Sequence, residues 1–111
     1  MDSKQYKIFT CVPPTHSKTL KEELNKVITP VFDGYDFVFS EIKMTGNWRP
    51  LQGSNPHLGT HGQIEIADEI MLGFTIKNEN LKAVVECIKS HHPYEKPAID
   101  IFPILRGEEI L

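Results

Sequence analysis

The chain has 111 residues, 40% of them hydrophobic and 24% charged, the profile of an ordinary globular domain, and one domain over residues 1–111 is expected. A formal net charge of -3 argues against the basic stripe that holds DNA or RNA, so nucleic acid is not an expected partner. No stretch reaches the roughly eighteen apolar residues of a membrane helix, MDSKQYKIF has no apolar leader pattern, and Cys11 and Cys87 form no C-x-x-C pair, so the protein is expected in the cytoplasm, off the membrane, with free thiols.

Tyr6 to Val12, YKIFTCV, is rich in β-branched and aromatic residues and stops at Pro13-Pro14, which predicts the first strand. Leu20, Leu24, Val27 and Ile28 then fall on one side of a helical wheel, opposite Lys18, Lys21, Glu22, Glu23 and Lys26, and Pro30 ends the pattern. The start of this helix has two readings: Thr15 as the cap after the prolines, or Thr19, where Glu22 completes a capping box. A turn at Asp33-Gly34 leads to Phe37–Met44, the second predicted strand. Phe37 and Phe39 share one phase, Ile42 and Met44 the other, which predicts a bulge or burial on both faces.

Gly46 to Gly62, GNWRPLQGSNPHLGTHG, holds four glycines and two prolines in seventeen residues. Such a stretch reads as a long shaped loop rather than the interior of a helix or strand, with Trp48, Leu51 and Leu58 as apolar anchors. Beyond it Ile64, Ile66, Ile70, Leu72, Phe74 and Ile76 alternate with polar residues such as Glu65, Glu69 and Thr75. That period of two over about fourteen residues exceeds the usual strand, so part of it is expected to project beyond the sheet core or to bend. Asn78 is the expected cap of a second helix carrying Leu81, Val84, Val85 and Ile88 to Lys89, closed by Pro93. Pro97 to Ile104 reads as a last strand whose prolines favour an edge position.

The order β-α-β-β-α-β predicts an α+β, ferredoxin-like sandwich, one four-stranded antiparallel sheet with two helices on one face. The other face keeps apolar residues and no cover, which predicts a homo-oligomer with closed cyclic symmetry.

Two stretches carry a family resemblance. TGNWRPLQGSNPHLGTHGQIE at Thr45 to Glu65 and HPYEKPAIDIFPI at His92 to Ile104 resemble the small inserted domain of the YqfO-type, Nif-three family and its stand-alone relatives. The second stretch is also similar to the CutA divalent-cation-tolerance proteins. The resemblance implies a PII/CutA-like domain that assembles as a homotrimer and serves as a non-enzymatic binding or regulatory module. Long members of the Nif-three family are named type 2 GTP cyclohydrolases, but their two-metal site lies in flanking domains that this sequence does not contain, so no catalytic residue is expected. Trp48, Arg49, Pro50, Gly53, Asn55, Pro56 and Gly59 are the expected ligand-binding or inter-subunit loop, and His92, Pro93, Tyr94, Glu95, Pro97 and Asp100 the motif after the second helix.

Arg49 among Gly46, Gly53 and Gly59 has the makings of an anion nest, which would suit a small anionic ligand. A protein partner is the other expectation. No cofactor is expected in this reading. The CutA-like alternative, a divalent-metal-binding protein, would draw its ligands from His57, His61, His91 and His92, although no pair has the helical spacing of a zinc motif. His92, Tyr94 and Glu95 are tied by spacing to no nucleophile. Their structural reading is that Pro93 ends the helix, Tyr94 packs with its hydroxyl bonded, Glu95 bonds near backbone and Pro97 leads into the last strand.

Overall fold

Alternation along the first strand sets the layers: Tyr6, Ile8, Thr10 and Val12 are buried, while Gln5, Lys7, Phe9 and Cys11 between them are only partly so. The structure, a computed structural model, describes residues 4–110. Its elements are β1 (Gln5–Val12), α1 (Pro14–Val27), β2 (Ser40–Trp48), β3 (Glu65–Lys77), α2 (Leu81–His91) and β4 (Ile99–Ile104), with 3-10 turns at Asn78–Asn80 and Gly107–Glu109. The sheet order is β2-β3-β1-β4 and every neighbouring pair is antiparallel.

The core lies on the helical side of the sheet. Ile8 is registered with Phe74 and Ile101, and Thr10 with Leu72 and Ile99, so these rows share one face. Leu20 and Leu24 of α1 and Val84 and Ile88 of α2 pack in the same cluster. Burying each such aliphatic side chain is worth about 1.5–3 kcal/mol, which selects this face for the helices.

The ends of the elements differ from expectation in instructive ways. Helix α1 starts at Pro14, with Pro13 in the cap position and no side-chain cap. Proline has no N–H to satisfy and a preset φ, so the first turn needs neither threonine; Thr15 instead bonds His16 Nδ1 at 2.9 Å. Strand β2 starts at Ser40 rather than Phe37. Phe37 has a left-handed φ of 56°, and the Asn25 side chain holds the crossover there, accepting the Phe37 N–H at 2.9 Å and donating to Asp36 at 3.1 Å. That turn produces the phase change; β2 pairs with β3 in continuous register without a bulge and is not buried on both faces. Asn78 does not cap α2: a 3-10 turn intervenes, and it is Asn80 that occupies the cap position, its Oδ1 accepting the Thr29 N–H at 2.8 Å. Helix α2 runs on to His91 before Pro93 closes it.

Gly46 and Trp48 lie inside β2, so the loop proper spans 49–64. A glycine in a strand marks close approach by another group, and a Cβ on Gly46 would overlap the Glu69 carboxylate. Strand β3 is longer than its partner β1, which pairs only with Ile70 to Lys77, whereas β2 pairs back to Glu65. The Glu65 end of β3 and the Trp48 end of β2 therefore form a two-stranded ribbon past the end of β1, as the length of the alternating pattern predicted, and the molecule extends over 51 × 27 × 22 Å. Strand β4 is an edge, paired with β1 alone. The face opposite the helices carries Phe9, Ile42, Met71 and Phe102, of which Ile42 is 55% and Phe102 50% exposed.

Tyr6 is fully buried and its hydroxyl has no partner among the described residues. An unsatisfied buried hydroxyl costs about 1–3 kcal/mol. Tyr6→Phe is expected to raise the thermal midpoint by about 4 °C or more in a circular-dichroism melt; a lowered midpoint would show that the hydroxyl is bonded in solution.

Candidate functional site

The ribbon, the loop 49–64 and the segment between α2 and β4 enclose a cleft of about 360 Å³. Three local features build it. Past α2 the chain drops to His92, which is only 7% exposed. Its Nε2–H donates to the Cys11 carbonyl at 2.6 Å, and its Nδ1 accepts the Tyr94 N–H at 3.1 Å. These partners demand the neutral imidazole with its proton on Nε2, because a proton on Nδ1 would break the bond from Tyr94. Burial holds His92 below its ordinary value of 6.5, with the Cys11 carbonyl and the Glu69 charge opposing.

Tyr94 is then aimed at the ribbon. Its hydroxyl donates to Glu69 Oε2 at 2.8 Å, and burial followed by that bond pushes the phenol far above its ordinary 10. Glu69 itself is 7% exposed. The Trp48 ring lies 5.7 Å from the Tyr94 ring, centroid to centroid, and its indole N–H donates to the Leu58 carbonyl at 3.1 Å. Gly59, at φ +116°, lets the loop fold back there: an added Cβ would be strained and would meet the Pro50 ring at 3.1 Å.

The loop is sewn to the opposite wall. The Asn55 N–H donates to Glu95 Oε1 at 3.1 Å, and His61 Nε2 donates to the Ser54 carbonyl at 2.8 Å. Both resemblance-bearing stretches thus meet in one place. Trp48, Pro50, Pro56 and His57 from the first and Tyr94 and Glu95 from the second line the cleft, Asn55 bridges them, and Pro93 and Pro97 bracket the second wall.

Other expected residues are not gathered there. Arg49 is exposed, does not line the cleft and makes no ion pair among the described residues; Gly53 sits exposed at a turn with φ +96°. Asp100 lines the neighbouring groove of the open face with Phe9, Cys11 and Phe102. The four histidines are dispersed. His57 faces His16 and Tyr94 at 5.8 and 6.2 Å between ring centroids, His61 holds the loop, His92 holds β1, and His91 Nδ1 bonds the Cys87 carbonyl at 2.9 Å. No three His, Cys, Asp or Glu groups among the described residues come close enough to hold one ion.

Glu69, one polar position of the alternating strand and one of the acids near the candidate histidines in sequence, was not among the expected site residues. The available signal was Gly46, a glycine in the facing strand with no turn to make. Cys11, Lys96 and Ala98 also line the cleft and left no signal in the sequence.

The chain is similar to known proteins over most of its length. The sequence profile of the CutA1 divalent ion tolerance protein family matches residues 58–110. The GTP cyclohydrolase 1 type 2 homolog of Halalkalibacterium halodurans is 30% identical over 106 residues, covering 96% of this chain and 28% of that protein. Among solved structures, the Bacillus cereus protein related to NIF3 superposes with a TM-score of 0.79 at 23% identity, over 94% of this chain and 26% of that one. The periplasmic divalent cation tolerance protein CutA from Archaeoglobus fulgidus does so with a TM-score of 0.68 at 19% identity, over 96% of this chain and 91% of that one. The chain therefore spans under a third of the length of its curated relative, and the structural likenesses establish the shared fold.

The neutral His92 generates a pH dependence. Its folded value lies below its unfolded one, so its contribution to stability is whole above about pH 6.5 and is lost as pH falls from there through the folded value. The thermal midpoint of the wild type is expected to fall between about pH 7.5 and 5.5, and that of His92→Gln, which does not titrate there, to vary less; parallel curves for the two proteins would show that His92 titrates normally.

Proposed function

We propose that this chain, similar over residues 58–110 to the CutA1 family and over most of its length to NIF3-related proteins, works as a non-catalytic, homotrimeric binding module whose ligand clefts lie at the subunit boundaries. One observation carries the reading: Cys11 and Ala98 line both the cleft and the apolar groove of about 230 Å³ on the uncovered sheet face. A copy of the chain seated on that face would border the cleft, so assembly and ligand binding would share an edge. Covering a sheet face of this kind with identical copies favours closed cyclic assembly, and the PII/CutA-like resemblance supports three copies.

The non-catalytic part of the reading rests on how the acid–base groups are engaged. Both nitrogens of His92 bond backbone, and the Tyr94 hydroxyl is bonded to Glu69 with its proton held tightly. Proton transfer needs such groups free to meet a reacting atom. The name carried by the curated relative belongs to a protein more than three times as long, and its activity is not taken over here. We assign the protein to the cytoplasm, where its two free cysteines would stay reduced.

Native mass spectrometry is expected to give three times the chain mass of 12.7 kDa. Met71→Lys, on the groove, is expected to shift the assembly to monomer with an unchanged circular-dichroism spectrum; a wild type that is monomeric at micromolar concentration would overturn the trimer. Isothermal titration with zinc and copper tests the absence of a metal, since saturable heat that His57→Ala or His92→Gln abolishes would favour the CutA-like alternative.

A further inference from the structure

We propose that the cleft takes a small organic cation, a protonated amine or quaternary ammonium on an apolar body, with Glu69 as its counter-ion; this rests on the reading of the cleft as a ligand site. Glu69 is a carboxylate more than nine-tenths buried on a wall shared with Trp48, Pro50, Pro56 and Leu58. Among the described residues no lysine, arginine or histidine nitrogen comes within ion-pair distance of it. Among the described residues its one hydrogen bond is from the Tyr94 hydroxyl to Oε2, and Oε1, bonded to none of them, keeps contact with solvent. Buried charge is normally paired, and leaving it unpaired is expensive. A ligand that brings a positive charge supplies the missing partner.

The surroundings favour an organic cation over the other candidates. Trp48, Tyr94 and His57 all line the cleft, the Trp48 and Tyr94 rings tilted at 51° and the His57 ring 6.2 Å from that of Tyr94; aromatic faces attract ammonium groups most strongly where water is excluded. Glu95 adds a second carboxylate at the exposed rim, and among the described residues Lys96 is the one formal cation on the lining. A divalent ion would need three or more N, O or S ligands, a set not found among the described residues. An anion would face Glu69 and Glu95 without Arg49. The volume of about 360 Å³ is at the lower end of ligand pockets, about 300–1,000 Å³, which suits a compact molecule.

Trp48 is the single tryptophan of the chain, so its fluorescence reports this cleft alone. Three probes of similar shape, phenethylammonium, phenethyl alcohol and phenylpropionate, titrated at neutral pH with EDTA present, separate charge from shape. Phenethylammonium is expected to give a saturable change with half-saturation about tenfold lower than either analogue, and Glu69→Gln to remove most of that advantage. Glu69→Gln keeps an acceptor for Tyr94, and a melt establishes that it folds; should it not, the wild-type probe series decides alone. Equal or tighter binding of the alcohol or the carboxylate would overturn the cation and leave the cleft as a ligand site. An unchanged preference for the amine in folded Glu69→Gln would overturn the counter-ion role, and no saturable response to any probe would overturn both this proposal and the reading beneath it.

Discussion

Strand β1 is too short for its neighbour, and most of the molecule follows from that mismatch. Pro13 cannot donate to a ladder and Pro14 is preset for the first turn of a helix, so β1 stops at Val12 while β3 and β2 continue together. The ribbon leaves an unfilled corner beyond the end of β1. The segment after α2 fills that corner, with His92 bonded to the Cys11 carbonyl and Tyr94 reaching the ribbon at Glu69. The cleft is the space left between this plug and the loop that closes the ribbon.

Holding a carboxylate in that corner requires compensation. The Tyr94 hydroxyl provides one bond, and the missing side chain at Gly46 provides room for the carboxylate. The same negative charge appears in the Cys11 thiol, whose proton is held more tightly by burial and then by Glu69 and Asp100. His92 escapes a charge of its own because its partners are a carbonyl and an N–H, which together fit the neutral ring. The corner thus combines a buried carboxylate with apolar and aromatic walls.

The two sides of the sheet are unequal for a related reason. Both crossovers put their helices on one face, where Ile8, Leu72 and Phe74 meet Leu20, Leu24, Val84 and Ile88. The other face keeps Phe9 and Phe102 edge to face, 5.9 Å between centroids, beside Met71. The 3-10 turn near the C-terminal end of the described residues covers a different part of the chain: the guanidinium of Arg106, which precedes it, lies 4.1 Å over the Phe32 ring.

Periodicity, with prolines as punctuation, determined the six main elements, their order, the edge position of β4 and the projection of β3, because burial on one face imposes a period of two on a strand and 3.6 on a helix whatever the partner, and proline cannot donate to a ladder. The capping threonines and Asn78 were misread, since a side chain able to cap competes with proline geometry and with partners far along the chain, such as Thr29 for Asn80. Gly46 read as loop for the same reason: glycine signals a special backbone or a close neighbour, and only the facing strand reveals which. The loop and the His92–Pro97 motif were legible as unusual, but their meeting was not, because Asn55 with Glu95 and Tyr94 with Glu69 are contacts between residues 40 and 25 positions apart. Register and packing decided those pairs, and with them that Glu69 lines the cleft and Arg49 does not.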